Sequence, residues 1–544
     1  MAAERLERNT WTVSALTFVS RTTGLARDAA LSRCFGIGPV MDALAFAFML
    51  PNLFRRLFGE GALSAAFLPV YARLQSTDRQ MAGRVAALLV ALLTAMLGGL
   101  TLVGELILWV LAERASADNL TLRLMMITLP YMPLVCLVAI LGAMLQVHGR
   151  FGPTAAAPVL LNLSMVAAAV GSAWIVPAAS DAGSGDVLAH RSMVVAGAVA
   201  IAGVAQVCWS LWALRTCGIR WVRPSKEALP ALHEILRKAG PMILGLGVLQ
   251  LNTFVDGLIA SWPSTVGPTI AGFDYPLDAG ALAALGYAQR LYEFPLGVFG
   301  IAVATAIFPL LSKQASDAAA FLDTLRRGLR LVVFIGLPAS VGLMVAGAPL
   351  TATMLQGGDF GASDTRRVAF VLMGYAPAVW AYSMNHTLTR AMYALGDTMT
   401  PVRISVGMVA LNLALNVTLI CTPLREAGLA WSTAFCAILQ VALLLRATRR
   451  RVDARMTDQP PIVDRAVRAS WLRTALASAI MAAVVVAVLA ISAGAEAEQA
   501  SWARQAVRLA LAVAVGAGTF GVLALLMRMP ELHWAIGRRN DRRP

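Results

Sequence analysis

The chain has 544 residues, of which 58% are hydrophobic and only 14% charged, with a mean hydropathy of +0.70. A soluble domain carries roughly 25% charged residues, so this composition excludes one, and no stretch between the apolar runs is long enough to fold as a separate soluble domain. The net charge of +15 does not mark a nucleic-acid binder, because the basic residues alternate with apolar runs instead of gathering on one face.

Runs of about 20 apolar residues cross a ~30 Å hydrocarbon core as helices. They predict an all-α polytopic membrane protein with about fourteen spans, near 11–36, 41–72, 82–112, 121–147, 152–176, 190–215 and 236–261 in the first half. Seven more follow near 279–312, 318–346, 366–389, 399–421, 427–448, 469–493 and 503–528, the second and eighth extending beyond the bilayer. Arg5 and Arg8 precede a first helix that itself carries charges, so the start does not read as a cleavable signal. The six cysteines (Cys34, Cys136, Cys208, Cys217, Cys421 and Cys436) are scattered without metal-ligand spacing and read as isolated thiols.

An even number of spans puts both termini on one side, and lysine plus arginine decides which. Connections on the terminal side hold 31 of the 45 basic residues, the opposite connections 8, and the spans 6. That bias places both termini in the cytoplasm.

Short matches relate the two halves. Ala143-Met144 to Pro153 (AMLQVHGRFGP) resembles Ala391-Met392 to Pro401 (AMYALGDTMTP), an offset of 248. Tyr131-x-Pro133 resembles Tyr375-x-Pro377, and Phe67-Leu68-Pro69 resembles Ile307-Phe308-Pro309. The near-constant offset predicts a parallel repeat of six helices, an arrangement that in transporters places the substrate path between halves. The expected division is 1–228 and 229–448 for the two six-helix lobes, 449–528 for a basic linker and two added helices, and 529–544 for a basic cytoplasmic tail.

Several charges fall inside spans. Span 1 contains Arg21, Arg27, Asp28 and Arg33; span 2 begins at Asp42 and contains Arg55, Arg56 and Glu60; span 8 contains Arg290 and Glu293. A central arginine costs roughly 2.5–3.5 kcal/mol even on a lenient insertion scale, so these residues need water, counter-ions or an anionic ligand. Arg56 with Glu60 and Arg290 with Glu293 are spaced to share a helix face, and structural ion pairing is the plainer reading. Yet arginine outnumbers acid in this set, and Glu60 cannot neutralise both Arg55 and Arg56. The surplus predicts a water-filled cationic cavity for a phosphorylated substrate, because the guanidinium fork matches phosphate.

Residues 20–70 carry the pieces SR-x-x-G-x-ARD and D-A-x-x-x-A-F-x-LPN-x-x-RR-x-F-x-EGA-x-x-x-AF-x-P. This block resembles the signature of the MurJ (MviN) lipid II flippases, and Gly286 to Pro309 is similar to a second block of that family. The resemblance implies the multidrug/oligosaccharidyl-lipid/polysaccharide exporter fold, with two six-helix lobes in a V around a central cationic cavity and two C-terminal helices bounding a lipid-tail groove. It implies a transporter, not an enzyme. The cargo would be the undecaprenyl-pyrophosphate-linked peptidoglycan monomer, moved from the cytoplasmic to the periplasmic leaflet of the bacterial inner membrane. The substrate-binding positions carry over as Arg21, Arg27, Asp42, Arg55, Arg56, Glu60 and Arg290, with Asp28 and Glu293 as pairing residues. No cofactor is expected beyond a candidate sodium ion. The expected state is a monomer among membrane lipids, with cell-wall synthases as candidate contacts.

The candidate sodium ligands are Asp256 in span 7, Asn412 and Asn416 in span 11, and Ser432 and Thr433 in span 12. Hard cations take oxygen donors of this kind, and the resemblance implies a sodium site between these helices. The alternative is hydrogen bonding between helices, which Asn416, an amide where a carboxylate would bind better, favours. Two other functions compete. A drug exporter of the same superfold is disfavoured by the arginines, which would repel a cationic drug. A membrane glycosyltransferase would need an aqueous carboxylate cluster, whereas Asp453, Asp458 and Asp464 sit among arginines.

Overall fold

The computed structural model describes residues 2–59, 62–114, 119–177, 184–219, 222–455, 460–492 and 501–535. The chain is an all-α polytopic membrane protein. In the first half its helices are α1 (Ala2–Phe35), α2 (Pro39–Phe54), α3 (Ala62–Thr77), α4 (Arg79–Arg114), α5 (Leu120–Thr128), α6 (Tyr131–Val147), α7 (Gly152–Ile175), α8 (Ser184–Thr216) and α9 (Leu229–Thr265). A two-stranded hairpin of β1 (Thr269–Ile270) and β2 (Phe273–Asp274) follows. The second half holds α10 (Ala281–Pro295), α11 (Ile301–Lys313), α12 (Ala318–Leu355), α13 (Ala362–Tyr375), α14 (Ala378–Ala394), α15 (Met399–Leu419) and α16 (Ala427–Arg455). The chain closes with α17 (Arg465–Ile491), α18 (Trp502–Leu526) and the short α19 (Pro530–Ala535).

Among the described residues nine helical stretches are long and apolar enough to cross a membrane: α4, α5–α6, α7, α8, α12, α15, α16, α17 and α18. The remaining predicted spans fall on α1, α2–α3, α9, α10–α11 and α13–α14, and three of these carry the arginines. On α4, Leu102, Val103, Leu106, Ile107 and Trp109 are all exposed, a face that hydrocarbon covers and water would penalise.

By contact the chain forms two compact units, Met1–Ala283 with Gly357–Phe360, and Ala284–Gln356 with Gly361–Pro544. In the first, α1 packs along α7, α7 and α6 on α8, and α2 and α3 on α9. The segment Gly357–Phe360 seats on the end of α1, where the Asp359 amide donates to the Arg33 carbonyl at 2.9 Å. Gly358 has φ +55, and a Cβ there would strike that carbonyl. In the second unit α12 packs on α14 and α17, and α14 and α15 pack on α16. Its core gathers Leu325, Leu329, Leu388 and Leu444. Side chains begin these helices where charge falls at an N-cap: Asp317 accepts from the Ala320 amide and Asp464 from that of Val467.

Three local irregularities recur in both halves. Predicted span 2 is interrupted by a π-turn at Arg55–Gly59, and predicted span 8 by one at Leu296–Gly300. Predicted spans 4 and 10 each break near a proline, between Thr128 and Tyr131 and between Tyr375 and Ala378. Helices α6 and α14 end alike: Gly149 and Gly396 both have φ +73, and the Arg150 and Asp397 amides reach back to Leu145 and Met392 in a Schellman closure. This register is 247, one residue from the 248 of the sequence match.

The tail begins as a short helix that packs on the second unit. In α19, Glu531 is buried and accepts from Arg330 Nε and Ser470 Oγ, each at 2.6 Å, while the Arg330 guanidinium lies 4.9 Å over the Trp534 ring. Residues 536–544, with the rest of the tail's charge, lie outside the described residues.

Candidate functional site

The span charges of the first unit lie on α1, α2 and the π-turn that follows α2. Arg27 is half-buried on the α1 face that meets α7. Its Nε and Nη2 donate to Asp28 Oδ1 at 2.9 and 2.6 Å, and its Nη1 donates to Asn162 Oδ1 of α7 at 3.0 Å. Asn162 is buried, and its Nδ2 donates back to the Ser20 carbonyl and to Thr23 Oγ1. One amide thus holds both the α1 backbone and the guanidinium. Arg21, one to two turns earlier, is exposed and makes no hydrogen bond or ion pair among the described residues.

Arg55 Nε donates to Asn52 Oδ1 at 3.1 Å, and Arg56 Nη1 donates to Gln250 Oε1 of α9 at 3.3 Å. Both arginines sit at the start of the π-turn, a backbone irregularity that clusters at functional sites. Glu60, expected to pair with Arg56, lies outside the described residues. In the second unit Arg290 and Glu293 stand 3.7 Å apart, both substantially exposed, and Gln289 Nε2 donates to Glu293 Oε1 at 2.9 Å. A partly solvated pair at this separation contributes little to stability.

Asp42 is fully buried. Its Oδ2 accepts from Ser264 Oγ and from the Gly280 amide, each at 2.6 Å, and its Oδ1 accepts from the Ala283 amide at 2.8 Å. The carboxylate therefore ties α2 to the last turn of α9 and caps the start of α10, where unsatisfied amides favour an anion. Sequence placed it among arginines; the structure shows backbone amides and a hydroxyl as its partners.

The oxygen-rich constellation resolves into a ring in the second unit. Asn412 Nδ2 donates to Ser432 Oγ at 3.1 Å, Asn416 Nδ2 donates to Asn412 Oδ1 at 3.3 Å, and the Ser432 hydroxyl meets Asn416 Oδ1. All three are buried. Thr433 Oγ1 instead donates to the Leu429 carbonyl of its own helix. Asp256, in the first unit, accepts from Asn252 Nδ2 at 3.2 Å. Among the described residues no three His, Cys, Asp or Glu side chains gather closely enough to hold a metal. A cation here would rest on amide and hydroxyl oxygens, a donor set that suits a hard ion. The amide protons now filling those oxygens would have to turn away. Glu105 of α4 keeps Oε1 buried and without a hydrogen-bond partner among the described residues.

A sequence profile described as lipid II flippase MurJ matches residues 31–525. This chain belongs to the MurJ family. A relative from Burkholderia cenocepacia named "Lipid II flippase MurJ" is 31% identical over 466 residues, covering 81% of this chain and 83% of its own. One from Vibrio cholerae named "Probable lipid II flippase MurJ" is 30% identical over 552 residues, covering 96% of each chain. Among solved structures, a MurJ lipid II flippase in an inward closed conformation aligns with a TM-score of 0.72 at 21% identity, covering 95% of this chain and 98% of that one. An inward-facing multidrug-resistance transporter of the MATE family aligns at 0.62 and 12% identity, covering 82% and 98%. At these identities the structural likenesses establish the MurJ-type fold and leave the cargo to the site.

Sequence reasoning missed Asn162, Asn52 and Gln250, the amides that the MurJ-family arginines of this chain lean on. A signal existed only for Asn52, three residues before Arg55 on the same helical stretch; Asn162 and Gln250 are brought to their arginines by helix packing.

Proposed function

We propose that this protein is a lipid II flippase of the bacterial inner membrane, a transporter and not an enzyme. It moves the undecaprenyl-pyrophosphate-linked peptidoglycan monomer from the cytoplasmic to the periplasmic leaflet, as a monomer with both termini in the cytoplasm. Its working division is the pair of repeats 1–228 and 229–448, with 449–528 and 529–544 as additions. Family membership supports the cargo. The mechanism rests on one observation: Arg27, Arg55 and Arg56 each donate to an amide oxygen, of Asn162, Asn52 and Gln250. An amide orients a guanidinium without adding a counter-charge, and at Arg27 it does so beside the Asp28 carboxylate, which a pyrophosphate would have to displace.

In this reading Arg21, Arg27, Arg55, Arg56 and Arg290 bind the pyrophosphate, and Glu60, Asp28 and Glu293 act as alternative partners. Each charge-assisted contact is worth roughly 1.5–3 kcal/mol, so several together draw the headgroup out of the interface. Binding alone moves nothing, because a carrier is shifted only by a difference in affinity between its states. Alternating access therefore requires the arginines to change partners, and the amides make that exchange inexpensive. Asp42 contributes by shape, fixing where α2, α9 and the start of α10 meet. Depletion of the native flippase with this gene supplied in trans tests the proposal: growth and restored lipid II export support it, and lysis with normal protein levels rejects it.

A second reading concerns sodium, favoured by the buried oxygen ring of Asn412, Asn416 and Ser432. With Asp256 as the charged ligand, the ion would neutralise the carboxylate and supply an energetic coupling. Nothing in the arginine mechanism depends on it.

A further inference from the structure

Between Asp256 and Asp274 the chain runs for 17 residues without an ionisable side chain, through the end of α9 and most of the hairpin. The turn Ala271–Gly272 has φ +50 and +86, the left-handed pair of a two-residue hairpin turn. Ala271 accepts this unfavourable conformation, so the tip is built into a defined shape. It is also apolar: Phe273 is 76% exposed, Val266 61% and Ile270 45%.

The hairpin does not extend straight out from the helix. The Tyr275 hydroxyl donates at 2.8 Å to the Ile259 carbonyl, six residues before the last residue of α9. Trp262 stacks on Tyr275 with ring centroids 5.9 Å apart, and its Nε1 donates to the Thr269 carbonyl. The neck therefore lies alongside the last turns of α9, and Asp42 holds both ends of the loop through Ser264 and Gly280. A tryptophan–tyrosine pair at the end of a span marks the headgroup level, and the hairpin folds back to that level.

We propose that Ile270 and Phe273 form an interfacial anchor, seated in the boundary between headgroups and acyl chains of the leaflet at the C-terminal end of α9. Membrane lipid is the occupant because the exposed apolar tip ends a 17-residue run without an ionisable side chain and stands on a Trp262–Tyr275 pair. A rigid hairpin whose turn is uncharged and whose neck carries aromatic residues meets the requirements of an interfacial segment. The loop's acidic residues, Asp274 and Asp278, come after the tip, so neutral lipid headgroups suit it better than anionic ones.

A spin label at Phe273→Cys, in full-length protein with the native cysteines replaced and reconstituted in phosphatidylcholine nanodiscs, tests this. Power saturation should show high oxygen accessibility, close to that of a label at the lipid-facing Leu106. Accessibility to a water-soluble nickel chelate should be severalfold below that of a label at the exposed Gln80. Nickel accessibility equal to that at Gln80 would place the tip in water and overturn the anchor. Protection from both reagents would mean that protein covers the tip, and would overturn it too. The same measurement at Ile270→Cys decides the matter if the Phe273 variant does not fold.

Discussion

Arg27 and Asn162, 135 residues apart, meet through one hydrogen bond of 3.0 Å that joins α1 to α7. Because Asn162 also holds the Ser20 carbonyl and the Thr23 hydroxyl, the guanidinium is referenced to the helix that carries it. Asn162→Ala should leave Arg27 charged but less ordered, lowering complementation while the protein still accumulates. Asn162→Asp tests whether orientation or charge matters: it adds a second carboxylate to Arg27 beside Asp28 and turns an oxygen toward the Ser20 carbonyl, so it should lower the thermal midpoint and impair growth more than alanine. Wild-type growth with the aspartate variant would show that Arg27's charge is not used.

The Asp42 carboxylate accepts three hydrogen bonds, from one hydroxyl and two backbone amides. The substitution Asp42→Asn would turn an amide NH2 toward at least one of these donors. A buried donor left unsatisfied costs about 1–3 kcal/mol, so a clear fall in thermal midpoint in detergent is expected. Ser264→Ala removes one of the three partners and should cost about 1 kcal/mol. Equal effects from both variants would mean that the backbone amides of Gly280 and Ala283 contribute nothing.

What the sequence made legible follows from what each feature is made of. Hydropathy marks α4, α7, α8, α12 and α15 to α18 because lipid selects for apolarity along their whole length. The arginine-bearing spans were legible by exception, since a charge there needs a reason. The partners of those arginines were not: Asn162 is chosen by the packing of α1 on α7, and no spacing rule links residues 27 and 162. The π-turn at Arg55–Gly59 has no residue signature, because an extra residue in a turn is a backbone event. The hairpin escaped notice because its strands are two residues long and its turn is Ala-Gly, without the Asn-Gly that signals such turns. Asp42 was legible as a charge at the start of span 2, but not its partners, a hydroxyl and backbone amides that only the chain's path brings to it.

The sodium reading predicts a change in thermal stability. If Asp256 and the Asn412–Asn416–Ser432 ring bind the ion, sodium but not choline should raise the thermal midpoint of purified protein, and Asp256→Ala should abolish the rise. A sodium response of equal size in the variant would remove Asp256 from the site. No response in the wild type would leave the ring as interhelical packing.

Orientation is open to a direct check. Cysteine at Gly185, in the first turn of α8, should react with an impermeant thiol reagent in intact cells, and cysteine at Gln80, in the first turn of α4, should not. The native Cys208 and Cys421 are exposed and must be replaced first. The reverse pattern would overturn the orientation drawn from the 31-to-8 distribution of basic residues.

The arginines themselves separate charge from geometry. Lysine at Arg27 or Arg55 keeps the positive charge but loses the planar fork that reaches Asn162 or Asn52 while presenting further N–H donors. Alanine loses both, and glutamate inverts the charge. For a pyrophosphate-binding site, growth after depletion of the native flippase should fall from arginine to lysine to alanine to glutamate, at normal protein levels. Removing one charge-assisted contact of roughly 1.5–3 kcal/mol should weaken binding of a pyrophosphate-linked lipid about tenfold or more. Arg290 gives the sharpest case, because its side chain is nearly half exposed. Arg290→Ala should therefore leave the thermal midpoint nearly unchanged while abolishing transport. A purely structural role for the arginines predicts the opposite: stability lost in proportion to burial, most at Arg27 and least at Arg290, with transport following stability. If Arg27→Ala, Arg55→Ala and Arg290→Ala all accumulate normally and support growth, these residues do not bind the cargo.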